Sequence, residues 1–152
     1  MNLSELLDTT DSLRRHGLIV ERITTDSIRA NVPHVRYHSP SGYECGYLGS
    51  GPADLALSVL HALLPPLTIE EEEKQYELVG AAFDEAINDP ARWAECVGPD
   101  RVRVSNLAMV LHQRFKEAFI ATMPQEGGYV PIQSILEWIE EHRQQRNQTS
   151  RS

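Results

Sequence analysis

The stretch SPSGYECGYLGSGPADLAL, residues 39–57, decides the fold of this chain. Its opening Ser-Pro-Ser-Gly has proline at the second position and glycine at the fourth, which is typical of a type I turn. We therefore predict a β-hairpin with strands His34–His38 and Tyr43–Leu48 around that turn. Because side chains alternate across a strand, one face of this hairpin would carry six side chains: His34, Arg36, His38, Tyr43, Cys45 and Tyr47.

The second half of the stretch predicts a helix led by a proline. Pro52 suits the first helical position, since the N–H group that it lacks would have no partner there, and Ser50 or Gly51 is the expected N-cap. Asp54 is expected in the first turn, where the helix dipole stabilises a carboxylate. Residues 52–64 are apolar on nearly every side. A helix without a polar face belongs in the core, so we predict a buried central helix.

A short helix and two strands are predicted before the hairpin. The helix begins near Ser4 and is stopped by Gly17 after a basic last turn. Alternating apolar side chains then predict strands at Leu18–Ile23 and Ser27–Val32, with a turn between them.

Three helices are predicted after the central one. Thr68 opens an acidic helix through a capping box, and an irregular link follows from Trp93 to Pro99. Ser105 starts the longest amphipathic helix, which runs to Thr122. Tyr129 and Val130 lead into a last helix, whose inner side chains are Ile132, Ile135, Leu136 and Ile139.

Strands early in the chain and helices late in it, without regular alternation, predict the α+β class. We expect a small antiparallel sheet of three or four strands, packed with four or five helices around the buried central helix. The length suits one domain, which we place at residues 1–142, followed by a polar and frayed tail at 143–152.

Charge is distributed unevenly along the chain. The net charge is −8, and residues 68–89 carry eight acidic side chains against the single basic Lys74. Nucleic-acid backbones are bound through Lys and Arg, so this segment is not expected to contact nucleic acid directly. The segment is either a solvated helix face or an acidic surface that docks onto a basic protein.

The expected compartment is the cytoplasm. The first residues are acidic and lack a long apolar run, and the longest apolar stretch is too short to cross a bilayer. No membrane contact is therefore expected. Cys45 and Cys96 are expected to be reduced thiols.

The motif in residues 39–57 resembles an uncharacterised family of bacterial and phage domains. That family carries the pattern Ser-Pro-x-Gly, aromatic-Glu-x-Gly-Tyr-x-Gly-Ser-Gly-Pro-Ala-x-Leu-Ala-Leu, and the resemblance extends to residues 111–124 and 135–139. It implies occurrence on phages, plasmids and other mobile elements, without an established activity. An aromatic residue is common in the family where this chain has Cys45, which implies a packing role for that position.

One candidate binding site lies at the predicted helix N-terminus. Free N–H groups at such an end attract anions, which would make Gly49, Ser50 and Gly51 a phosphate cradle supported by Arg36 and His38. A tight strand-to-helix turn explains the same glycines, and no lysine follows them as a P-loop requires.

Metal and catalytic sites are not predicted. His34 and His38 would stand about 13 Å apart along a strand, too far to share one ion. No Gly-x-Ser-x-Gly elbow, His-Glu-x-x-His motif or acidic metal triad is present, so we predict neither a catalytic residue nor a cofactor.

The leading functional hypothesis is therefore a non-catalytic protein-binding module of a mobile element, with a host or element-encoded protein as partner. A counter-defence inhibitor is its most specific form. The residues expected to contact the partner lie on the acidic segment and the hairpin face: Glu70, Glu71, Glu72, Glu73, Glu77, His34, Tyr43 and Tyr47. The alternative is a binding protein or an enzyme that takes a small ligand or a nucleotide phosphate at Gly49–Pro52. The sequence leaves the oligomeric state open.

Overall fold

The computed structural model describes residues 10–66, 68, 70 and 94–151. This part of the chain contains four α-helices and two small antiparallel sheets, which confirms the predicted α+β class. In chain order the elements are α1 (Thr10–His16), β1 (Gly17–Thr24), β2 (Ser27–Ala30), α2 (Ser50–Leu63), β3 (Ala94–Val97), β4 (Val102–Ser105), α3 (Asn106–Phe115), a π-helical turn (Lys116–Ile120), β5 (Gly127–Pro131) and α4 (Ile132–Arg151).

The three-stranded sheet has the order β2-β1-β5, with β1 in the centre. On its buried face Val20 lies opposite Ala30, and Leu18 lies opposite Val130. Both strands predicted at the start of the chain are present, although β2 ends at Ala30. The predicted start of α1 at Ser4 lies outside the described residues.

Gly17 ends α1 as predicted, and its backbone has a φ of +110°. It also makes room for β5, since a Cβ atom at this position would lie 2.1 Å from the carbonyl oxygen of Val130. The helix stop and the sheet pairing therefore depend on the same glycine.

The predicted hairpin at residues 34–48 is wrong, because this segment contains no strand. Four of its backbone N–H groups donate hydrogen bonds to side chains of α2 and not to a partner strand. Val35 donates to Ser58, while Tyr37 and His38 donate to Asp54. A buried carboxylate that accepts several backbone hydrogen bonds competes directly with strand pairing, so the predicted common face of six side chains does not form.

Three further strands, β3, β4 and β5, lie where none was predicted. Residues 94–97 belong to the predicted irregular link but pair with β4 in a second hairpin. Tyr129 and Val130, predicted to lead into a helix, belong to β5. The two glycines at 127–128 weaken the strand pattern in the sequence. The strand forms because its backbone pairs with the N–H and C=O groups of β1.

Helix α2 contributes a continuous buried stretch, since every residue from 51 to 60 is buried. It begins at Ser50 with Gly49 as N-cap, so the predicted caps Ser50 and Gly51 are already helical. Asp54 consequently lies beyond the first turn. The predicted position of α2 at the centre of all the helices stays a prediction, because most of the acidic segment lies outside the described residues.

Helix α3 packs against α2 and begins as predicted, with the Ser105 hydroxyl accepting a hydrogen bond from the N–H of Ala108. In α4, Ile135 and Ile139 are buried as expected, but Leu136 is 46% exposed. The same helix continues to Arg151, through most of the segment predicted to be a polar tail.

Candidate functional site

Asp54 on α2 fixes residues 34–39, the segment that leads into the motif at residues 39–57. Its carboxylate is fully buried and accepts four hydrogen bonds. The donors are His34 Nε2 at 2.8 Å and the backbone N–H groups of Tyr37 at 3.2 Å, His38 at 2.7 Å and Ser39 at 3.0 Å. We refer to this arrangement as the Asp54 clamp.

The Asp54 clamp keeps its carboxylate ionised. Burial by itself would raise the pKa of Asp54, but the hydrogen bonds from His34 and from the three backbone N–H groups outweigh it and lower the pKa below its usual value. An ionised carboxylate only accepts hydrogen bonds, so Nε2 of His34 carries the hydrogen. One turn later along α2, Ser58 accepts from the N–H of Val35 and donates to the Asp54 carbonyl oxygen.

A pair of histidines joins the same segment to α3. His38 Nε2 and His112 Nε2 lie 3.0 Å apart, and His112 Nδ1 lies 2.6 Å from the carbonyl oxygen of Met109. Burial lowers the pKa of His112 to about 4 and also lowers the pKa of His38. The ring of Tyr37, which is 44% exposed, covers His38 at a centroid distance of 4.4 Å.

A surface cleft lies next to the Asp54 clamp. It consists of two adjoining cavities of about 280 and 480 Å³, which share Thr25, Glu44 and Tyr47 in their walls. The smaller cavity is completed by Arg22, Cys45, Gln125 and Glu126, and the larger one by Asp26, Ser39, Ser41, Gly42, Ser50 and Gly51. We call the two cavities together the Glu44 cleft.

An ion pair lies in the floor of the Glu44 cleft. Arg22 on β1 binds the Glu44 carboxylate through two hydrogen bonds of 2.7 and 2.8 Å, and its Nε donates to the Gln125 carbonyl oxygen at 2.8 Å. Glu44 packs directly over the start of α2, where a Cβ atom at Gly51 would lie 2.8 Å from the Cβ of Glu44. The glycine at 51 therefore serves this close approach.

Cys45 has the packing role that the family resemblance implied. Its side chain is fully buried, and burial raises the pKa of its thiol. The Sγ atom lies 3.6 Å from the Pro124 carbonyl oxygen. A buried thiol with a raised pKa is a poor nucleophile.

The residues predicted to form a phosphate cradle do not form one site. Ser50 and Gly51 line the Glu44 cleft, and Gly49 is covered by the ring of Tyr47. Arg36 binds Asp100 at 2.7 and 2.9 Å instead, and His38 binds His112.

The residues predicted to contact a protein are also separated. His34 is held by the Asp54 clamp, and Tyr43 packs on the His34 ring and donates to the Val32 carbonyl oxygen at 2.7 Å. Tyr47 stays 47% exposed at the cleft, and Glu70 is exposed. The other predicted acidic contacts, Glu71, Glu72, Glu73 and Glu77, lie outside the described residues.

Sequence reasoning assigned no functional role to Asp54 or His112. The sequence predicts only stabilisation by the helix dipole for Asp54, and no role is predicted for His112. A signal for His112 was available, because it lies four residues after Ala108 and three before Phe115, on the buried side of the amphipathic pattern. Asp54 stands in an otherwise apolar helix, where a carboxylate needs several donors.

Two general features concern metals and membranes. Within the described ranges, no group of three or more His, Cys, Asp or Glu side chains could hold a metal ion. None of the helices in the described part of the chain combines the length and the hydropathy needed to cross a bilayer.

Comparison with known proteins gives a match to a family model. Residues 14–81 match the model of a family of unknown function (DUF6166). No curated protein and no solved structure matches the chain. The match includes the Asp54 clamp and most of the Glu44 cleft, whereas His112, Gln125 and Glu126 lie beyond it. Residues 14–81 are therefore similar to the DUF6166 family, whose function is unknown.

Proposed function

We propose that this chain is a non-catalytic protein-binding module that contacts its partner through the Glu44 cleft. The observation that carries the proposal is the pair of exposed apolar side chains beside the cleft. Tyr47 is 47% exposed and lines both cavities, and its neighbour Leu48 is 68% exposed. Aromatic side chains of this kind are enriched at the centres of protein interfaces.

The charges of the cleft favour a basic segment of the partner. Its walls carry the carboxylates of Asp26, Glu44 and Glu126 against the single guanidinium of Arg22. Asp26 and Glu126 are exposed and available to cationic side chains. The same carboxylates oppose a phosphate at the start of α2, which weakens the nucleotide-binding alternative.

The chemical state of the cleft side chains supports a binding role over a catalytic one. Glu44 is engaged by Arg22 through both carboxylate oxygens, so it lacks the freedom of a general base. Cys45 is held as a thiol in the cleft wall. Both groups would have to be released before they could act on a substrate.

The more specific part of the proposal concerns the partner's origin. We propose a host or element-encoded protein, because the resembled family occurs on phages and plasmids, and we extend this to counter-defence inhibition. The acidic segment at residues 70–77 would then widen the interface beyond the cleft and increase the association rate by electrostatic steering.

Quantitative pull-down from host lysate tests the proposal with matched variants. Tyr47→Ser and Leu48→Ser are expected to weaken recovery of a stoichiometric partner by about tenfold or more, as hot-spot truncations do. Leu136→Ser is the matched control, because Leu136 is 46% exposed on α4 and lies outside the cleft walls. Equal recovery with all three variants would refute binding through the cleft.

The acidic segment is tested separately. A combined Glu70→Lys, Glu71→Lys, Glu72→Lys and Glu73→Lys variant is expected to slow association and to reduce its dependence on salt, without abolishing recovery at high protein concentration. An unchanged association rate would restrict the interface to the cleft.

A small-ligand function remains the second candidate, because the larger cavity has the volume of a ligand pocket and hydroxyl groups from Ser39, Ser41 and Ser50. Its charges favour a neutral or cationic ligand. Thermal-shift screening of nucleotides, inorganic phosphate and polyamines tests this candidate. Stabilisation by a polyamine, lost in Glu44→Gln, would support it, and no shift with any compound would reject it.

A further inference from the structure

The His38–His112 contact links two distant parts of the chain through one hydrogen bond. His38 lies on the segment before α2, whereas His112 lies on α3 and is only 5% exposed. The two Nε2 atoms are 3.0 Å apart and the ring centroids are 5.2 Å apart, so the rings meet end to end.

The direction of this hydrogen bond follows from a third group. The carbonyl oxygen of Met109 can only accept, so the hydrogen in its contact with His112 is on Nδ1 of the histidine. The Nε2 atom of a neutral His112 then has a lone pair and no hydrogen. The hydrogen between the rings therefore belongs to His38, which donates from Nε2.

We propose that the His38–His112 hydrogen bond is a pH-sensitive latch, which holds residues 34–39 against α3 and opens when His112 takes up a proton on Nε2. The proposal rests on the geometry of the two rings and does not require the Glu44 cleft to bind a partner. Ser39 lines that cleft, however, so opening the latch would also change the cleft wall.

Two protonation steps have opposite effects on the latch. A first proton enters on Nδ1 of His38, and the hydrogen bond to the neutral His112 becomes charge-assisted and stronger. A second proton must enter on Nε2 of His112, which places hydrogens on both facing nitrogens. The two imidazolium ions then repel each other and the contact is lost.

The surroundings set the pH at which the second step occurs. Burial lowers the pKa of His112 to about 4 and also lowers that of His38, and Lys116 on the π-helical turn acts in the same direction. The carboxylate of Asp54 on α2 opposes this effect at both rings. Within the 34–39 segment, Tyr37 covers the His38 ring and His34 donates to Asp54.

The Asp54 carboxylate of the clamp stays ionised as the pH falls towards 4, because its hydrogen bonds lower the pKa of Asp54 below the usual value. Loss of the latch as the pH falls through about 4, the pKa of His112, therefore comes before protonation of the clamp. Its signature is faster hydrogen exchange at the N–H groups of Tyr37, His38 and Ser39, which the clamp holds at neutral pH.

NMR of the ¹⁵N-labelled full chain in EDTA tests the latch between pH 7.5 and pH 4. Ring nitrogen spectra at pH 7.5 should show His112 with hydrogen on Nδ1 and none on Nε2. The hydrogen-exchange rates of the three amides are corrected for the intrinsic pH dependence of exchange and divided by the rates of amides in β1. This ratio should increase about tenfold or more towards pH 4. The opposite tautomer of His112, or a constant ratio to the β1 amides, would overturn the proposal.

Variants separate the latch from general acid unfolding. His112→Gln keeps an acceptor for His38 but cannot titrate, so the acceleration should fall below about twofold. His16→Gln, at an exposed histidine at the end of α1, should behave as wild type. An equal acceleration in all three proteins would contradict the latch.

Two additional measurements keep the test decisive. If His112→Gln does not fold, His38→Ala replaces it: this variant lacks the donor to His112, so it should show fast exchange of residues 37–39 already at pH 7.5, and slow exchange would contradict the latch. A titration with Zn²⁺ in the absence of EDTA addresses the competing interpretation. A saturable shift of both ring signals would identify a metal site between the histidines and overturn the proposal, whereas unchanged signals support it.

Discussion

The buried carboxylate of Asp54 and the imidazole of His34 are joined by a hydrogen bond of 2.8 Å, and this bond closes a clamp that also holds three consecutive backbone N–H groups. The clamp replaces the strand pairing that the sequence suggested. It ties the loop before the Ser-Pro-Ser-Gly turn to the second turn of α2.

Removing the clamp should destabilise the fold strongly. In Asp54→Ala, His34 and three backbone N–H groups lose their acceptor, and a buried unsatisfied donor costs roughly 1–3 kcal/mol. We expect a loss of about 3 kcal/mol or more in the free energy of unfolding, measured by urea denaturation. Asp100→Asn is the control, because its ion pair with Arg36 is exposed to solvent. A comparable loss in the two variants would contradict the importance of the clamp.

The free energy of unfolding should decrease as the pH falls below 6.5. His112 has a folded-state pKa of about 4 against the usual 6.5, so the unfolded chain binds a proton in this range that the folded chain excludes. Its contribution to stability is complete above pH 6.5 and is lost as the pH falls through 4, with a limit of about 3 kcal/mol. His112→Gln should flatten the profile between pH 6.5 and pH 4. A variant profile as steep as that of wild type would place the titrating group elsewhere.

A single methyl group at Gly98 should be far more damaging than one at Gly42. Both glycines have positive φ, of +71° and +155°, but a Cβ atom at Gly98 would lie 1.6 Å from the Arg36 carbonyl oxygen. A Cβ atom at Gly42 would meet nothing within 4 Å. We expect Gly98→Ala to cost at least ~2 kcal/mol more than Gly42→Ala in thermal or urea unfolding. Similar costs would show that the β3–β4 hairpin does not pack on the 34–39 segment.

The Arg22–Glu44 pair should show measurable coupling. Its side chains are 21% and 16% exposed, and the contact is bidentate, so a double-mutant cycle with Arg22→Met and Glu44→Gln should give a coupling energy of about 1 kcal/mol. The coupling should persist at high salt, because partly buried pairs are weakly screened. Additive effects of the two substitutions would mean that the cleft floor does not depend on the pair.

Local signals in the sequence were reliable where one segment determines its own structure. Gly17 ends a helix, Ser105 caps one, and the alternation in residues 18–23 produces a strand. These features depend on neighbours within a few residues, so periodicity and capping rules identify them. The α+β class followed from their order along the chain.

The hairpin at 34–48 failed for the opposite reason. Its turn signal was local, but the partner of its backbone was Asp54, a residue about 15 positions later that looked like an ordinary helix-dipole contact. Similarly, β5 was missed because its backbone hydrogen-bond partners belong to β1, more than 100 residues earlier. The secondary-structure propensity of a segment contains no information about such distant partners.

By itself the sequence determined the fold class, the limits of α2 within about two residues, and the glycines at which the backbone must turn. Only the tertiary structure decided which side chains meet: Asp54 with the 34–39 segment, His38 with His112, and Arg22 with Glu44. The physical reason is that capping and periodicity are properties of adjacent residues. A buried hydrogen bond or ion pair exists only after distant segments have packed and excluded water from between them.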